Sequence, residues 1–231
     1  MPEVKRIVCL ANSRKLHGRC IAGKEMTDGV PGVWIRPVSA RKDEGVSETE
    51  RLYEDGGEPC VLDIIDIALI EPRPKDHQKE NWLLDSRTKW KQVGSLKLQD
   101  FGGLVDPCKT LWTNGQSTRH GQNDEVSASI AKGIESSLLL IEVESLEIIV
   151  GRFSSTAGAT RRRVQGHFYY AGTEYRLWVT DPGYEQRCKA KPDGRYRLGR
   201  CLMTVSLSEP FELACYKLIA AIIEIGGGGK K

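Results

Sequence analysis

The residues best suited to chemistry lie in one stretch, 161–180, where cations and aromatic rings recur at every second position. Side chains of a β-strand alternate between its two faces. On a first arm, Val164, Phe168 and Tyr170 share one face, while Arg161, Arg163, Gln165, His167 and Tyr169 share the other. On a second arm, Tyr175, Leu177 and Val179 face one way, and Arg176, Trp178 and Thr180 face the other. Single-stranded nucleic acid calls for this combination, because cations track phosphates and each base stacked on an aromatic ring contributes about 1–3 kcal/mol. Arginine adds planar, bidentate contacts to phosphate. Trp178 packed under a neighbouring element, with ordinary solvated arginines beside it, is the competing reading. A one-residue slip of register would exchange the two faces.

A fainter echo lies near the start of the chain. In Val33-Trp34-Ile35-Arg36-Pro37, Val33 and Ile35 are expected to point inward and Trp34 and Arg36 outward, with Lys15 and Arg19 close by in the preceding turn. For Trp34, a ring that closes a barrel end is the stronger reading. The run Asp76-His77-Gln78-Lys79-Glu80-Asn81-Trp82 is dense in polar groups. His77 as a base partnered by Glu80 would be acid–base chemistry, but no nucleophile or phosphate-binding glycine loop accompanies it. Binding of a ligand edge through His77, Gln78 and Asn81, or a purely structural role, is preferred to catalysis. The Gly-x-x-x-x-Gly-Lys-Ser/Thr and Gly-x-Gly-x-x-Gly motifs are missing, and Asp63 and Asp66 stand at opposite strand parity. Cys9, Cys20, Cys60, Cys108, Cys188, Cys201 and Cys215 include no close pair of the kind zinc sites use. Neither a metal nor a cofactor is expected.

Elements that would position these groups are short strands. Residues 6–11, 18–23, 33–38, 60–70, 137–150, 161–170, 175–180 and 202–207 read as strands; 213–225 is ambiguous, with strand preferred. Asp28-Gly29 and Pro31-Gly32 read as turns, and Ala171-Gly172-Thr173-Glu174 as the connection of a hairpin. Residues 41–58 read as a loop with one helical turn, and 75–123 as mostly loop, anchored by Trp82, Trp90 and Trp112. Asn123-Asp124-Glu125 reads as the start of a short helix over 126–134. Each half therefore carries short strands, glycine turns and a strongly apolar closing strand. The expected architecture is mostly β with minor α, two OB-like small β-barrels in tandem, with 1–124 as the first, 125–225 as the second, and 226–231 as a disordered tail.

Charge is unevenly spread: +6 over residues 1–42, −10 over 43–151, +7 over 152–200, and balanced thereafter. Two basic segments flanking an acidic centre point to a polyanionic partner. No apolar run is long enough to cross a bilayer as a helix, and the first residues carry no secretion signal. A cytoplasmic location with no membrane partner is the expectation.

Several strings resemble a known family. Cys9-Leu10-Ala11-Asn12-Ser13-Arg14-Lys15, Gly18-Arg19-Cys20-Ile21-Ala22-Gly23, Trp34-Ile35-Arg36-Pro37-Val38-Ser39 and His77-Gln78-Lys79-Glu80-Asn81-Trp82 resemble the first half of the prokaryotic dual OB-containing domain (DuOB). Tyr175-Arg176-Leu177-Trp178-Val179-Thr180-Asp181-Pro182, Val205-Ser206-Leu207-Ser208-Glu209-Pro210-Phe211 and Tyr216-Lys217-Leu218-Ile219-Ala220 resemble its second half. The resemblance implies two OB-type barrels and a ligand- or nucleic-acid-sensing role, often in prokaryotic defence systems. It supplies no catalytic residues, and Thr160-Arg161-Arg162-Arg163 lies outside it. The function expected is a non-enzymatic module that binds RNA or single-stranded DNA. The alternative is a receptor for a nucleotide or small signal near His77 and Asn81, in a cleft between the barrels.

Overall fold

The computed structural model describes residues 2–97, 100–101, 103–154 and 158–225. The tail expected over 226–231, and part of the Ser/Thr/Ala/Gly stretch near 154–160, lie outside the described residues. The chain divides into two units, Met1–Val105 with Glu135–Ser137, and Asp106–Ile134 with Leu138–Lys231. The division falls after Val105, not after residue 124 as the sequence suggested.

Unit 1 is built on a long first strand, β1 (Glu3–Lys15), followed by β2 (Gly18–Thr27) and β3 (Val30–Val38). Asp28 and Gly29 both have positive φ (52° and 79°), the primed two-residue turn whose twist matches that of the strands it joins. After a four-residue helix, α1 (Glu48–Arg51), come β4 (Asp63–Pro72), β5 (Asn81–Leu84) and β6 (Lys91–Ser95). The sheet runs β1-β2-β3-β5-β4-β6, and β1 also pairs with β4, which closes it into a barrel. One strand serves two neighbours because a bulge between Cys9 and Ala11 turns it: Glu3–Val8 pairs with β4 and Ile7–Lys15 with β2. Gly23 sits opposite the bulge, where an added Cβ would lie 2.0 Å from the Val8 carbonyl oxygen. Ile7, Cys9, Ile21, Ile35, Ile65, Ile67, Leu69 and Trp90 fill the interior.

Unit 2 repeats the plan. Its elements are β7 (Glu125–Ser127), α2 (Ala128–Ala131), β8 (Leu138–Val143), β9 (Leu146–Ser154), β10 (Thr160–Tyr170), β11 (Thr173–Val179), α3 (Pro182–Lys189), β12 (Gly194–Leu198), β13 (Cys201–Leu207) and β14 (Ala214–Glu224). The order is β12-β9-β10-β11-β14-β13-β8, with β7 on β14. Only Glu144 and Ser145 separate β8 from β9. β8 pairs with β13 and β9 with β10, so together they do what β1 does alone. The parallel pairing of β11 with β14 matches that of β3 with β5. Val164, Phe168, Tyr175, Leu177, Met203 and Ile219 form the core. Gly166 makes room for it, since a Cβ there would meet the Ile219 Cδ1 at 2.4 Å.

Several local expectations change. Residues 75–123 contain β5 and β6. Pro31-Gly32 lies inside β3, because the turn closes at Asp28-Gly29. Glu125 opens β7, and α2 begins at Ala128 with Ser127 as its cap, accepting from the Ile130 amide. Asp181 ends the hairpin and also caps α3, with Pro182 in the first turn.

Candidate nucleic-acid interface

The residues of the 161–180 hairpin lie on a sheet face made by β9, β10, β11 and β12 in unit 2. Along β10, Val164 and Phe168 are buried and Arg161 and Tyr169 exposed, as the alternation requires, but Gln165, expected on the outer face, is buried too. Ala171 and Gly172, both with positive φ, set Tyr170 opposite Thr173. That register places Gln165 across from Trp178 and His167 across from Arg176. On the other side, Arg161 faces Phe153, Arg163 faces Gly151 and His167 faces Glu147. β12 extends the surface with Arg195 opposite Ile149 and Arg197 opposite Glu147. Sequence reasoning missed Arg195 and Arg197; their Arg-x-Arg spacing in the basic segment is the signal that could have found them.

One half of this face is already occupied by the chain itself. Residues 117–123 cross it: the Gln165 Nε2 donates to the His120 carbonyl (2.8 Å), His120 Nε2 meets the Ser154 carbonyl (2.9 Å), and the Asn123 amide group donates to the Glu174 carbonyl (2.9 Å). Gln122 and Arg176 exchange both backbone hydrogen bonds. Beneath this strap, the Arg163 guanidinium lies 3.7 Å from the Trp178 ring centroid. Phe153 and His120 meet the same indole edge-on, at 4.8 and 6.4 Å. Trp178 thus faces outward, as the alternation predicts, but one face of its ring is covered by Arg163. The expectation that Trp178 and Arg163 stand ready for a base and a phosphate is corrected here. Arg161 is exposed and without an ion pair among the described residues. Arg176 lies 3.9 Å from Glu174.

The other half is open. A cavity of about 900 Å³ is lined by Lys109, Glu147, His167, Tyr169, Arg195 and Arg197, among others. Tyr169 is 63% exposed, its ring 6.0 Å from that of His167. His167 is held between two carboxylates, Nδ1 3.4 Å from Glu147 and Nε2 2.8 Å from Glu174. Arg195 reaches the same Glu147 oxygen at 2.7 Å. Burial works to raise the Glu147 pKa, but its hydrogen bonds with His167 and Arg195 outweigh that and hold it below the ordinary value. Arg197 donates to the Ser145 hydroxyl at 3.3 Å. The site therefore offers an exposed ring, a carboxylate edge and a rim of cations around one concavity.

The residues expected in unit 1 do not form such a surface. Arg36 is 3% exposed; its guanidinium donates to the Ser137 hydroxyl (2.6 Å) and pairs with Glu80 (2.7 Å). Trp34 is buried with Lys24 over its ring, while Val33, expected inside, is exposed. The alternation fails because β3 is buried on both faces from Trp34 to Val38. Lys15 and Arg19 sit at the far end of the β1–β2 hairpin. Arg19 is five residues along β2 from Lys24, the partner of Trp34, which is about 16 Å at strand rise. His77, Gln78 and Asn81, expected to read a ligand edge, are all buried. Gln78 and Asn81 bond to each other, and Asn81 also to Arg36.

A six-stranded sheet closed by the β1–β4 pairing in unit 1 and an eight-stranded sheet in unit 2, each with one parallel pairing (β3 with β5, β11 with β14) and a helix between the paired strands (α1, α3), define a tandem OB-fold protein. Among the described residues, no helix is long and apolar enough to cross a membrane. Residues 5–222 match the model of the dual OB-containing domain, and the chain belongs to that family. No curated protein and no solved structure matches it.

Proposed function

We propose that unit 2 binds single-stranded nucleic acid along the outer face of β9 to β12. The observation that carries this reading is Tyr169, a largely exposed ring on the second strand of an OB barrel, beside a cavity rimmed by Lys109, Arg195 and Arg197. In this reading Tyr169 stacks a base, Arg195, Arg197 and Lys109 neutralise phosphates, and Arg161 receives the strand at the far end of β10. From 161 to 169 the strand spans about 26 Å, room for a few nucleotides, in keeping with the short site sizes of OB folds.

Anisotropy of a labelled 12-nucleotide single strand, RNA or DNA, tests this across a salt series. Tyr169→Ala should weaken binding about tenfold or more, as loss of one stacked base implies. Arg195→Ala with Arg197→Ala should reduce the slope of log K against log salt by about 1.4, since each single-strand phosphate contact contributes about 0.7. Unchanged affinity and slope in both variants would overturn the proposal. The cavity volume also falls in the range of small-molecule sites, about 300–1,000 Å³, which favours a mononucleotide receptor as the second reading. A rise in Tm with mononucleotides, and no binding of the 12-nucleotide strand, would select it.

A further inference from the structure

A second concavity of about 580 Å³ lies elsewhere on unit 2, on the outer side of β7 and β14. Its floor is set by register: Glu125 lies opposite Tyr216, and Ser127 opposite Ala214. Val126 and Cys215, between them, are buried and face the interior. One wall is the tight turn Phe211-Glu212-Leu213-Ala214. Phe211 and Ala214 exchange backbone hydrogen bonds (2.9 and 3.2 Å), Glu212 takes a positive φ of 56°, and the Leu213 carbonyl accepts from the Ala128 amide at 2.8 Å. The turn is thus held firmly, yet it presents Phe211 and Leu213 to solvent at 65% and 84% exposure.

Large apolar side chains fixed outward at the lip of a concavity mark an interaction surface. Its charge is as lopsided as its apolar content. Neither Glu125 nor Glu212 has an ion pair among the described residues. Burial, reinforced by Asp124, holds the Glu125 carboxyl above its ordinary pKa. The Tyr216 phenol is pushed up by burial and then by Glu125, Glu212 and Asp124. The concavity therefore carries two carboxylates, Glu125 and Glu212, that no ion pair among the described residues neutralises. Electrostatic complementarity asks for a positive occupant.

We propose that this cleft docks a short basic segment of a partner protein, with a lysine or arginine between Glu125 and Glu212 and an adjacent apolar side chain against Phe211 and Leu213. This surface is independent of the nucleic-acid reading, since it shares none of the residues invoked there.

The test is an NMR titration of the full chain with an acetylated hexapeptide of alternating leucine and arginine. Two control peptides replace arginine by glutamate, or leucine by glycine. Amide shifts should cluster at 116–117, 125–127 and 211–216, with both controls inert. Glu125→Gln with Glu212→Gln should weaken the peptide about tenfold, and Phe211→Ser with Leu213→Ser by a similar factor. All four positions are at the surface of the concavity, so the fold and the oligonucleotide affinity should be retained. That retention separates failure of this proposal from failure of the nucleic-acid reading. Shifts centred elsewhere, or peptide affinity unaffected by the charge-removing pair, would overturn it. So would sedimentation showing a wild-type dimer that Phe211→Ser with Leu213→Ser dissolves, because the occupant would then be a second copy.

Discussion

Replacing Arg36 by Met should destabilise unit 1 while leaving oligonucleotide binding intact. Arg36 and Glu80 are 3% and 6% exposed, and their charged groups meet at 2.7 Å. Ser137 completes the arrangement, accepting from Arg36 at 2.6 Å and donating to the Glu80 carboxylate. Methionine fills most of the arginine volume but leaves the Glu80 carboxylate buried with no counter-charge. Breaking a buried pair in this way costs about 3–5 kcal/mol, a large share of the ~5–15 kcal/mol that typically separates folded from unfolded domains. Urea denaturation followed by intrinsic fluorescence measures it, as a lower midpoint at unchanged m. Adding Glu80→Gln should recover part of the loss, because the two positions are coupled. A loss below about 1 kcal/mol in Arg36→Met, together with weakened oligonucleotide binding, would refute the assignment of Arg36 to the interior.

Three further outcomes follow from particular contacts. Gly23→Ala should cost about 1–3 kcal/mol in the same denaturation assay, since its Cβ would meet the Val8 carbonyl oxygen at 2.0 Å and backbone must move. Gly121→Ala would drive a Cβ to 1.9 Å from the Asp124 carboxylate, which ties down Thr118, so the strap over Trp178 should loosen and acrylamide quenching of tryptophan fluorescence should rise. Lys217 is buried, and desolvation, only partly opposed by Asp124, pushes its pKa down to about 8 from 10.5. Between these pH values the unfolded chain binds the extra proton, so stability should rise by about 3 kcal/mol from pH 8 to 10.5; Lys217→Met should lack that rise, and equal slopes in the two proteins would contradict it.

The barrels were legible where local rules act alone. Gly172 and the clean alternation from Val164 to Val179 gave the hairpin and both its faces, and the apolar run of β14 read as a strand. Arg36 was illegible because its partner lies far along the chain, brought near only by the parallel pairing of β3 with β5 that sets Arg36 beside Asn81. The strap was hidden for another reason: its bonds to the sheet run largely through backbone atoms at His120, Gln122 and Glu174, which side-chain identity does not mark. The start of α3 was hidden because Asp181-Pro182-Gly183 suits a turn as well as a helix N-terminus, and only the Asp181 cap, accepting from the Tyr184 amide, distinguishes them. The cavity beside Tyr169 needed β12, whose five residues carry little apolar signal.

The most direct test of the binding face is an NMR titration of the isotope-labelled full chain with an unlabelled 12-nucleotide single strand. The account predicts amide shifts concentrated at 145–147, 161, 167–169 and 195–197, with 34–36 and 77–81 quiet. Shifts centred on 34–36 and 77–81, or none at saturating oligonucleotide, would contradict it.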